Sequence, residues 1–414
     1  MRPGARMAQI QGEHRMKRLS GIALALALVA CSTTPAPDTR AANETAPGWA
    51  GAWGASPNPP PAGARAFENQ TVRQVVRLST GGSQVRIRFT NEYGDKALDI
   101  GAATLALAGP DGRPVGKTLD ITFNGAKTVA IPPRAPMLSD PVTLDVKALD
   151  SLSISLFLPT PTGPCTCHYA GTASAFVSGP GNFTFAGFEP ASTFTNRAFI
   201  SAVEVATLSP RTIVTFGDSI TDGTASTVNA NRRWPDVLAE RLNAAGSPRG
   251  ISNQAIAGNR VLAYQMQIFG ESALSRFDRD VMSVPNVGWI VVLEGINDIG
   301  MGAASPPSAQ TLINGYSQII ARAHAKGIKV YGATLLPYEG ARYYQEGGET
   351  IRQAVNTWIR TGGAYDGVID FDAVMRDPAS PKKMKADLQS GDWLHPNDAG
   401  YKVMGEAVDL ALFR

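Results

Sequence analysis

An apolar run that ends in a glycine-serine turn, Thr212-Ile-Val-Thr-Phe-Gly-Asp-Ser219, constrains the fold of this chain more than any other segment. Its β-branched and aromatic residues predict a buried strand, and Gly217 allows the backbone to turn sharply directly after it. Ser219 is thereby placed at the carboxyl end of the strand, where open α/β sheets carry their chemistry. The segment therefore predicts an α/β sheet with a candidate nucleophile at its edge.

A serine hydroxyl is a weak nucleophile until a base accepts its proton, so the chemistry needs a histidine. The chain has four histidines, and His395 follows Asp392 by three residues in the segment Gly391-Asp-Trp-Leu-His395. A carboxylate at that spacing could orient the imidazole and stabilise its charged form. Ser219, Asp392 and His395 therefore form a complete set of residues for acyl transfer.

Four short blocks, in this order, resemble those of the SGNH, or GDSL-type, hydrolases. They are Gly217-Asp-Ser219, Asn253-Gln-Ala-Ile-Ala-Gly258-Asn, Gly295-Ile-Asn297-Asp298 and Asp392-Trp-Leu-His395. Each block alone is short enough to occur by chance, but all four in fixed order, each after a predicted strand or opening a helix, form a specific signal. The resemblance covers residues 211–414, about half of the chain.

The resemblance implies roles for five residues. Ser219 would be the nucleophile, His395 the general base and then the general acid, and Asp392 its orienting partner. The N–H groups of Ser219 and Gly258 and the side chain of Asn297 would stabilise the oxyanion. Loss of one such donor typically raises the activation barrier by about 2.7–4 kcal/mol. No cofactor and no metal are implied.

Each of these residues also has an ordinary structural explanation. Ser219 could cap the following helix, and Gly258 could be a turn residue. Asn297 could cap a helix, while Asp392 and His395 could form a surface turn. The occurrence of all four blocks in order favours the catalytic interpretation.

Two other classes of hydrolase fit the sequence less well. The nucleophile elbow of the α/β-hydrolases requires a glycine two residues after the serine, where this chain has Thr221. A metal-dependent phosphoesterase would need several further histidine ligands. The neighbouring acids Asp218, Asp222 and Asp298 are expected to form turns or supporting hydrogen bonds rather than to act as catalysts.

Residues 1–31 predict an export signal. Lys17 and Arg18 precede a short apolar stretch at residues 21–30, which is too short to span a membrane as a helix. Leu28-Val-Ala-Cys31 resembles a bacterial lipobox, in which Cys31 carries the lipid, and the alternative is an ordinary signal cut a few residues later. Residues 32–48 predict a flexible linker. The expected location is a periplasmic or outer-membrane lipoprotein, or otherwise a secreted protein, with membrane contact only through this anchor.

The charge of the exported chain gives no support to nucleic-acid binding. Residues 1–30 carry five basic residues and one acidic residue, so their removal changes the formal net charge of +3 to about −1. No basic run remains. The expected partners are therefore small-molecule or polysaccharide esters.

Cys165 and Cys167 are the cysteines that remain beyond the leader. In an oxidising compartment they could form a strained disulfide or stay as free thiols, and the sequence leaves both open. His168 follows directly, but no second pair of ligands completes a zinc site. We expect His168 to be a packed or hydrogen-bonded loop residue, with a smaller chance that it reaches the rim of the active site.

Residues 49–208 show the period-two pattern of β-strands. Val85, Ile87 and Phe89 alternate with polar residues, and Asn124-Gly125 predicts a hairpin turn. Short strands with frequent turn signals favour an all-β sandwich or jelly-roll-like domain. A similar β domain accompanies some secreted bacterial SGNH hydrolases, and both a carbohydrate-binding and a structural role stay open.

Strands and helices alternate over residues 209–414. The predicted strands are 212–216, 250–256, 289–294, 329–335 and 367–371, and the predicted helices are 235–245, 271–284, 309–326, 350–360 and 398–412. This alternation predicts a three-layer α/β domain with a parallel sheet. The resemblance implies the flavodoxin-like strand order 2-1-3-4-5, in which Ser219, Gly258 and Asn297 would converge.

The sequence therefore predicts a serine ester hydrolase that acts through an acyl-enzyme. The loops 221–227, 258–260 and 298–305 are small and polar, which favours short-acyl, above all acetyl, esters of carbohydrates. The alternatives are a lipase or lysophospholipase of the same family, and a glycan-binding lipoprotein with a vestigial hydrolase domain.

Overall fold

The computed structural model describes residues 47–264, 267–302 and 305–414. The predicted export signal, Cys31 and the predicted linker up to residue 46 lie outside the described residues. None of the helices in the described ranges is both long and apolar enough to cross a membrane. Thr45–Arg414 forms one compact unit, so the domain boundary at residue 208 stays a prediction.

The N-terminal β-rich region, residues 47–208, consists of short strands joined by turns. These strands are β1 (Gly48–Gly54), β2 (Gln70–Arg77), β3 (Gly82–Thr90), β4 (Leu98–Ile100), β5 (Ala102–Ala108), β6 (Pro114–Asp120), β7 (Val129–Ile131), β8 (Pro136–Leu138), β9 (Val142–Val146), β10 (Ser151–Leu158), β11 (Cys167–His168), β12 (Ala175–Pro180), β13 (Ser192–Phe194), β14 (Arg197–Ala198) and β15 (Ile200–Thr207).

The larger sheets of this region are antiparallel and share a hydrophobic core. One has the strand order β1-β15-β3-β8, with β9 also paired to β3, and the other has the order β13-β12-β2-β10-β5-β6. Ile87 and Phe89 from the first sheet and Leu152 and Ile154 from the second belong to one buried cluster. The region therefore packs sheet on sheet, as in a β-sandwich, while its jelly-roll character stays a prediction.

The predicted hairpin turn at Asn124-Gly125 forms, but it does not join two long strands. Both residues have positive φ, 50° and 80°, and the turn is flanked by an isolated bridge between Phe123 and Ala126. The carboxylate of Asp140 accepts the N–H groups of Asn124 and Gly125 at 2.9 and 2.8 Å. The turn is thus stabilised by a neighbouring side chain rather than by a ladder.

The C-terminal region alternates strands and helices. Its strands are β16 (Thr212–Gly217), β17 (Gly250–Asn253), β18 (Val287–Leu293), β19 (Lys329–Ala333), β20 (Gly367–Ile369), β21 (Arg376–Asp377) and β22 (Ser380–Met384). Its α-helices are α1 (Ser219–Asp222), α2 (Trp234–Ala244), α3 (Ala273–Phe277), α4 (Ile296–Gly300), α5 (Ala309–His324), α6 (Glu346–Thr361), α7 (Phe371–Met375) and α8 (Asp398–Ala407).

The main sheet of this region is parallel, with the order β17-β16-β18-β19-β20. In chain order this is 2-1-3-4-5, the order that the resemblance implies. Consecutive residues such as Ile213 and Val214 of β16, or Ile290 and Val291 of β18, are all buried. Strands buried on both faces explain why the sequence shows continuous apolar runs here. The carboxyl ends of β16, β17 and β18 are neighbours.

Two helices differ from their predictions. The predicted helix 271–284 is the short α3 followed by a π-helical turn, Asp278–Met282. The predicted helix 398–412 ends at Ala407, because Val408 is extended and the Asp409 carboxylate accepts the N–H of Ala411, which starts a separate 3₁₀ turn. The apolar periodicity continues across this break, so it could not reveal it.

Buried hydrogen bonds join the β-rich region to the parallel sheet. The N–H of Gly51 in β1 donates to Oγ1 of Thr212 at 2.9 Å, and Ser56 Oγ donates to Oε1 of Gln254 at 2.7 Å. A side chain at Gly54 would overlap Ser252 and Gln254. Strand β1 therefore lies in close contact with the segment that begins at β17.

Candidate active site

Ser219 is the first residue of α1, and Asp218 alone separates it from the end of β16. The carboxylate of Asp218 caps this helix by accepting the N–H of Ile220 at 3.0 Å. A side chain at Gly217 would overlap the carbonyl of Leu293 in the adjacent strand β18. The predicted strand, turn and helix are therefore present, and glycine is required where the turn begins.

The structure brings Ser219, His395 and Asp392 together. Nε2 of His395 lies 2.8 Å from Oγ of Ser219, and Nδ1 of His395 lies 2.6 Å from Oδ2 of Asp392. The other carboxylate oxygen of Asp392 accepts the N–H groups of Leu394 and His395, both at 2.9 Å. Trp393, which lies between Asp392 and Leu394, has a positive φ of 60°. The imidazole therefore bridges the serine hydroxyl and the carboxylate.

The electrostatics of this contact favour a proton on Nδ1 of His395. Burial raises the pKa of Asp392, but the N–H groups of His395 and Leu394 and the imidazole outweigh it and lower this pKa to about 2. The carboxylate is therefore ionised at neutral pH and accepts from Nδ1. Nε2 is then free to accept a proton from the serine.

Gly258 lies in the loop after β17, and this loop contacts Asn297, the second residue of α4. Gly258 has a φ of 79°, and a side chain there would overlap the ring of Phe269. Nδ2 of Asn297 donates to the carbonyl of Asn259 at 3.0 Å, and Oδ1 accepts from the hydroxyl of Tyr343 at 3.2 Å. The side chain of Asn297 is thereby fixed against the Gly258 loop.

The carboxylates of Asp222 and Asp298 accept hydrogen bonds from the two ends of the Gly258 loop. Oδ2 of Asp222 accepts the N–H of Ala257 at 3.0 Å. The carboxylate of Asp298 accepts the N–H groups of Val261 and Leu262 at 2.8 and 3.0 Å. Both acids make supporting hydrogen bonds of the kind expected from the sequence.

Several buried acids lie close to Ser219. Burial, with repulsion from other carboxylates, raises the pKa of Asp218 to about 7, and burial raises that of Asp298 to about 6. Burial also raises the pKa of Glu294. The guanidinium of Arg276 lies 3.4 Å from Glu294 and donates to the carbonyl of Gly217 at 3.1 Å. The buried guanidinium of Arg276 thus offsets part of this negative charge.

Sequence reasoning missed Tyr343 and Arg276, which lie outside the four blocks and gave no local signal. The open question of Cys165 and Cys167 is answered, because the structure pairs them in a disulfide. His168 is buried and hydrogen-bonded, as expected. No cluster of three or more His, Cys, Asp or Glu side chains suited to a metal ion occurs within residues 47–264, 267–302 and 305–414.

Comparison with known proteins finds a family model that matches this region. Residues 215–403 match the model of the GDSL-like lipase/acylhydrolase family. None of the curated proteins matches the chain.

Several solved structures resemble the C-terminal half. A lipolytic protein of the G-D-S-L family from Desulfitobacterium hafniense is 23% identical, with 47% of this chain and 96% of that chain covered and a TM-score of 0.37. An acetyl xylan esterase is 22% identical, with 47% and 96% covered and a TM-score of 0.37. A lipase/acylhydrolase from Enterococcus faecalis is 19% identical, with 48% and 92% covered and a TM-score of 0.39.

Proposed function

We propose that Ser219, His395 and Asp392 are the catalytic residues of this carboxylic ester hydrolase, whose residues 215–403 match the model of the GDSL-like lipase/acylhydrolase family. The contact that carries the proposal is the 2.8 Å distance between Oγ of Ser219 and Nε2 of His395. The imidazole is in turn held by Asp392 at 2.6 Å. Nucleophile, base and orienting carboxylate thus stand in the order that acyl transfer requires.

In the proposed reaction Oγ of Ser219 attacks the ester carbonyl while Nε2 of His395 accepts its proton. The N–H groups of Ser219 and Gly258 and Nδ2 of Asn297 donate to the resulting oxyanion. As the intermediate collapses, the imidazolium of His395 gives its proton to the departing alcohol, which leaves an acyl-enzyme. Water then attacks the acyl carbon, its proton passes to His395 and on to Oγ of Ser219, and the carboxylic acid is released.

We propose short-acyl esters as the substrates, with acetyl esters of carbohydrates as the preferred class. The loops that follow the catalytic strands are polar and small, as in residues 221–227. Tyr343 packs against Gly300 of α4 and donates to Asn297, so its ring occupies space beside the proposed oxyanion donors. A long acyl chain would need an extended apolar groove instead, and each methylene buried there would contribute about 0.8 kcal/mol.

The experiment is a series of p-nitrophenyl esters from acetate to decanoate, with acetate release from acetylated xylan measured in parallel. We expect kcat/KM to stop rising by butyrate. A long apolar groove would instead increase kcat/KM by about fourfold for each methylene, and a steady rise to decanoate would favour the lipase or lysophospholipase alternative. Ser219→Ala serves as the control, since activity that persists in it comes from a contaminant or another nucleophile.

A glycan-binding lipoprotein without catalysis is the alternative from another class. A fluorophosphonate probe separates the two, because it labels a serine only when a base activates it. We expect labelling of the wild type and no labelling of Ser219→Ala. An unlabelled wild type that still binds acetylated xylan would favour the binding protein.

We also propose that the chain is exported and anchored through a lipid on Cys31. The proposal rests on the basic and apolar pattern of residues 17–30 and on the position of Cys31 directly after it. Cys31→Ala should release the full chain from the membrane fraction and abolish palmitate labelling. Labelling that persists in this variant would place the lipid elsewhere.

A further inference from the structure

His168, a residue of the β-rich region, lies against the helix that begins with Ser219. It is 4% exposed. Its Nδ1 lies 2.9 Å from the carbonyl oxygen of Ser56, and its Nε2 lies 2.9 Å from Oδ1 of Asp222. A carbonyl oxygen and an ionised carboxylate can only accept, so with Asp222 ionised both ring nitrogens carry a proton in this arrangement. His168 is therefore an imidazolium that is paired with the carboxylate of Asp222.

The charged groups around His168 agree with this protonation state. Burial lowers the pKa of His168, but the carboxylate of Asp222 raises it, and the net direction is upward. The guanidinium of Arg233 opposes this, although it is itself paired with Asp236 at 2.8 Å. The buried guanidinium of Arg197 lines the same small cavity. Asp222 is thus the anion that balances His168.

Asp222 connects this pair to two parts of the candidate active site. It is the last residue of α1, three residues after Ser219. Its second oxygen accepts the N–H of Ala257, the residue directly before Gly258. The position of one carboxylate therefore influences both the nucleophile turn and the loop that carries the proposed oxyanion donor.

We propose that His168 is a positioning residue of the ester hydrolase, which acts through Asp222 on the turn of Ser219 and the loop of Gly258. The inference rests on the proposed function of these two residues. This role would involve the β-rich region in the reaction, because His168, which orients Asp222, is a residue of β11.

The local structure holds His168 where this role requires it. The N–H of Asn58 donates to the carbonyl of Cys167 at 2.8 Å, and Cys167 is bonded to Cys165. These contacts fix β11 next to the segment of Ser56, the other partner of the imidazolium. Without His168 the buried carboxylate of Asp222 would lose its charge-assisted hydrogen bond and could rotate away from Ala257.

The test replaces His168 with glutamine, which keeps one donor and removes the charge. We expect kcat for p-nitrophenyl acetate to fall on the order of ten- to a hundredfold, less than the 10²–10³ that removal of an oxyanion donor costs. KM should stay unchanged, because no contact with bound substrate is removed. The matched control is His324→Gln, which breaks an exposed His–Asp pair of similar length, 2.8 Å to Asp366, and should keep full kcat.

A second variant and a measurement on the wild type cover the case in which His168→Gln does not fold. Asp222→Asn should lower kcat in the same way, and the double variant should be no worse than the poorer single variant, because both act through one contact. Imidazole ¹⁵N shifts of the wild type at pH 7 should show both nitrogens of His168 protonated.

Three results would overturn the inference: a folded His168→Gln with unchanged kcat, additive losses in the double variant, or a neutral imidazole at pH 7. Failure of the proposed function is distinct from these. It would appear as a wild type without Ser219-dependent hydrolysis, whatever the state of His168.

Discussion

Asp392 shows at the scale of one residue how a short turn prepares an orienting carboxylate. It accepts from Nδ1 of His395 at 2.6 Å and from two N–H groups of its own turn at 2.9 Å. These hydrogen bonds stabilise the ionised form. The carboxylate, with a pKa of about 2, can therefore keep the imidazole oriented at neutral pH and well into the acid range.

The pH dependence of the reaction should follow from this arrangement. We expect kcat/KM to be low at acid pH and to rise with pH through one ionisation, because His395 must be neutral to accept the serine proton. Asp392, with a pKa of about 2, is already ionised at pH 4 and adds no second ionisation to the profile. A profile of kcat/KM from pH 4 to 9 checks this. A second ionisation between pH 4 and 5, or a flat profile with chemistry rate-limiting, would contradict it.

Asp218 should affect stability rather than chemistry. Its pKa is raised to about 7, so the folded protein favours the protonated carboxyl. The contribution to stability is full below the unfolded pKa near 3.8 and is lost as the pH rises through about 7. Asp218→Asn keeps an acceptor for the N–H of Ile220 without the charge. It should raise the free energy of unfolding at pH 8 by roughly 1–3 kcal/mol relative to wild type, with the difference vanishing near pH 4.

Thermal or urea unfolding at pH 4, 6 and 8 measures this difference. The control is Asp409→Asn, which changes another capping aspartate, one that is exposed and caps the 3₁₀ turn at Leu410–Phe413. Asp409→Asn should not show the gain in stability at pH 8 that is expected of Asp218→Asn, because its side chain is exposed. An Asp218→Asn protein that is equally destabilised at all three pH values would refute the assignment of a buried, protonated carboxyl.

At the scale of elements, the loop after β17 requires a glycine at Gly258 for two reasons. Gly258 has a φ of 79°, and a side chain would also overlap the ring of Phe269. Gly246, after α2, has a similar φ of 66° but open space around it. Replacement by alanine at either position should lower the free energy of unfolding by about 1–2 kcal/mol, because the backbone there is left-handed. The two variants therefore separate backbone strain from displacement of the loop.

Gly258→Ala should lower kcat, up to the 10²–10³ that loss of one oxyanion donor costs, while Gly246→Ala keeps its kcat. The measurement is kcat and KM for p-nitrophenyl acetate, with the melting temperature of each variant. Equal kcat in the two variants would mean that the Gly258 loop takes no part in the reaction.

The sequence predicted the core of the parallel sheet and indicated the candidate catalytic residues, because both leave local marks. Buried strands such as β16 are continuous apolar runs, and the four blocks lie directly at strand ends. The ends of elements were less predictable, since single contacts set them. α8 ends at Ala407 although the apolar period runs on, and Asp409 caps a separate 3₁₀ turn after it. Such a cap competes with the helix in a way that periodicity does not record.

The supporting residues of the site were out of reach for a different reason. Tyr343 contacts Asn297 across 46 residues, and His168 contacts Asp222 across 54. Nothing in either local segment indicates the partner, because packing of whole elements brings them together. For this reason the sequence identified the proposed nucleophile, base and oxyanion donors, whereas only the structure identified the residues that hold them.

At the scale of the whole molecule, the β-rich region and the parallel sheet should unfold together. Their contact includes buried hydrogen bonds such as Gly51 to Thr212 and Ser56 to Gln254. These groups would lose their partners if one region unfolded alone. Gly54 of β1 lies within this contact, and a side chain there would overlap Ser252 and Gln254.

Gly54→Ala should therefore destabilise the entire chain by about 1–3 kcal/mol, the usual cost of overpacking. The matched control is Gly179→Ala, in strand β12, where a side chain meets open space and stability should change little. Far-UV circular dichroism and tryptophan fluorescence report on both regions, since Trp53 lies in β1 and Trp289 in β18. Both signals should follow one transition that shifts to lower temperature in Gly54→Ala. Two separate transitions, with only the first displaced, would mean that each region is stable without the other and that the contact through β1 does not couple them.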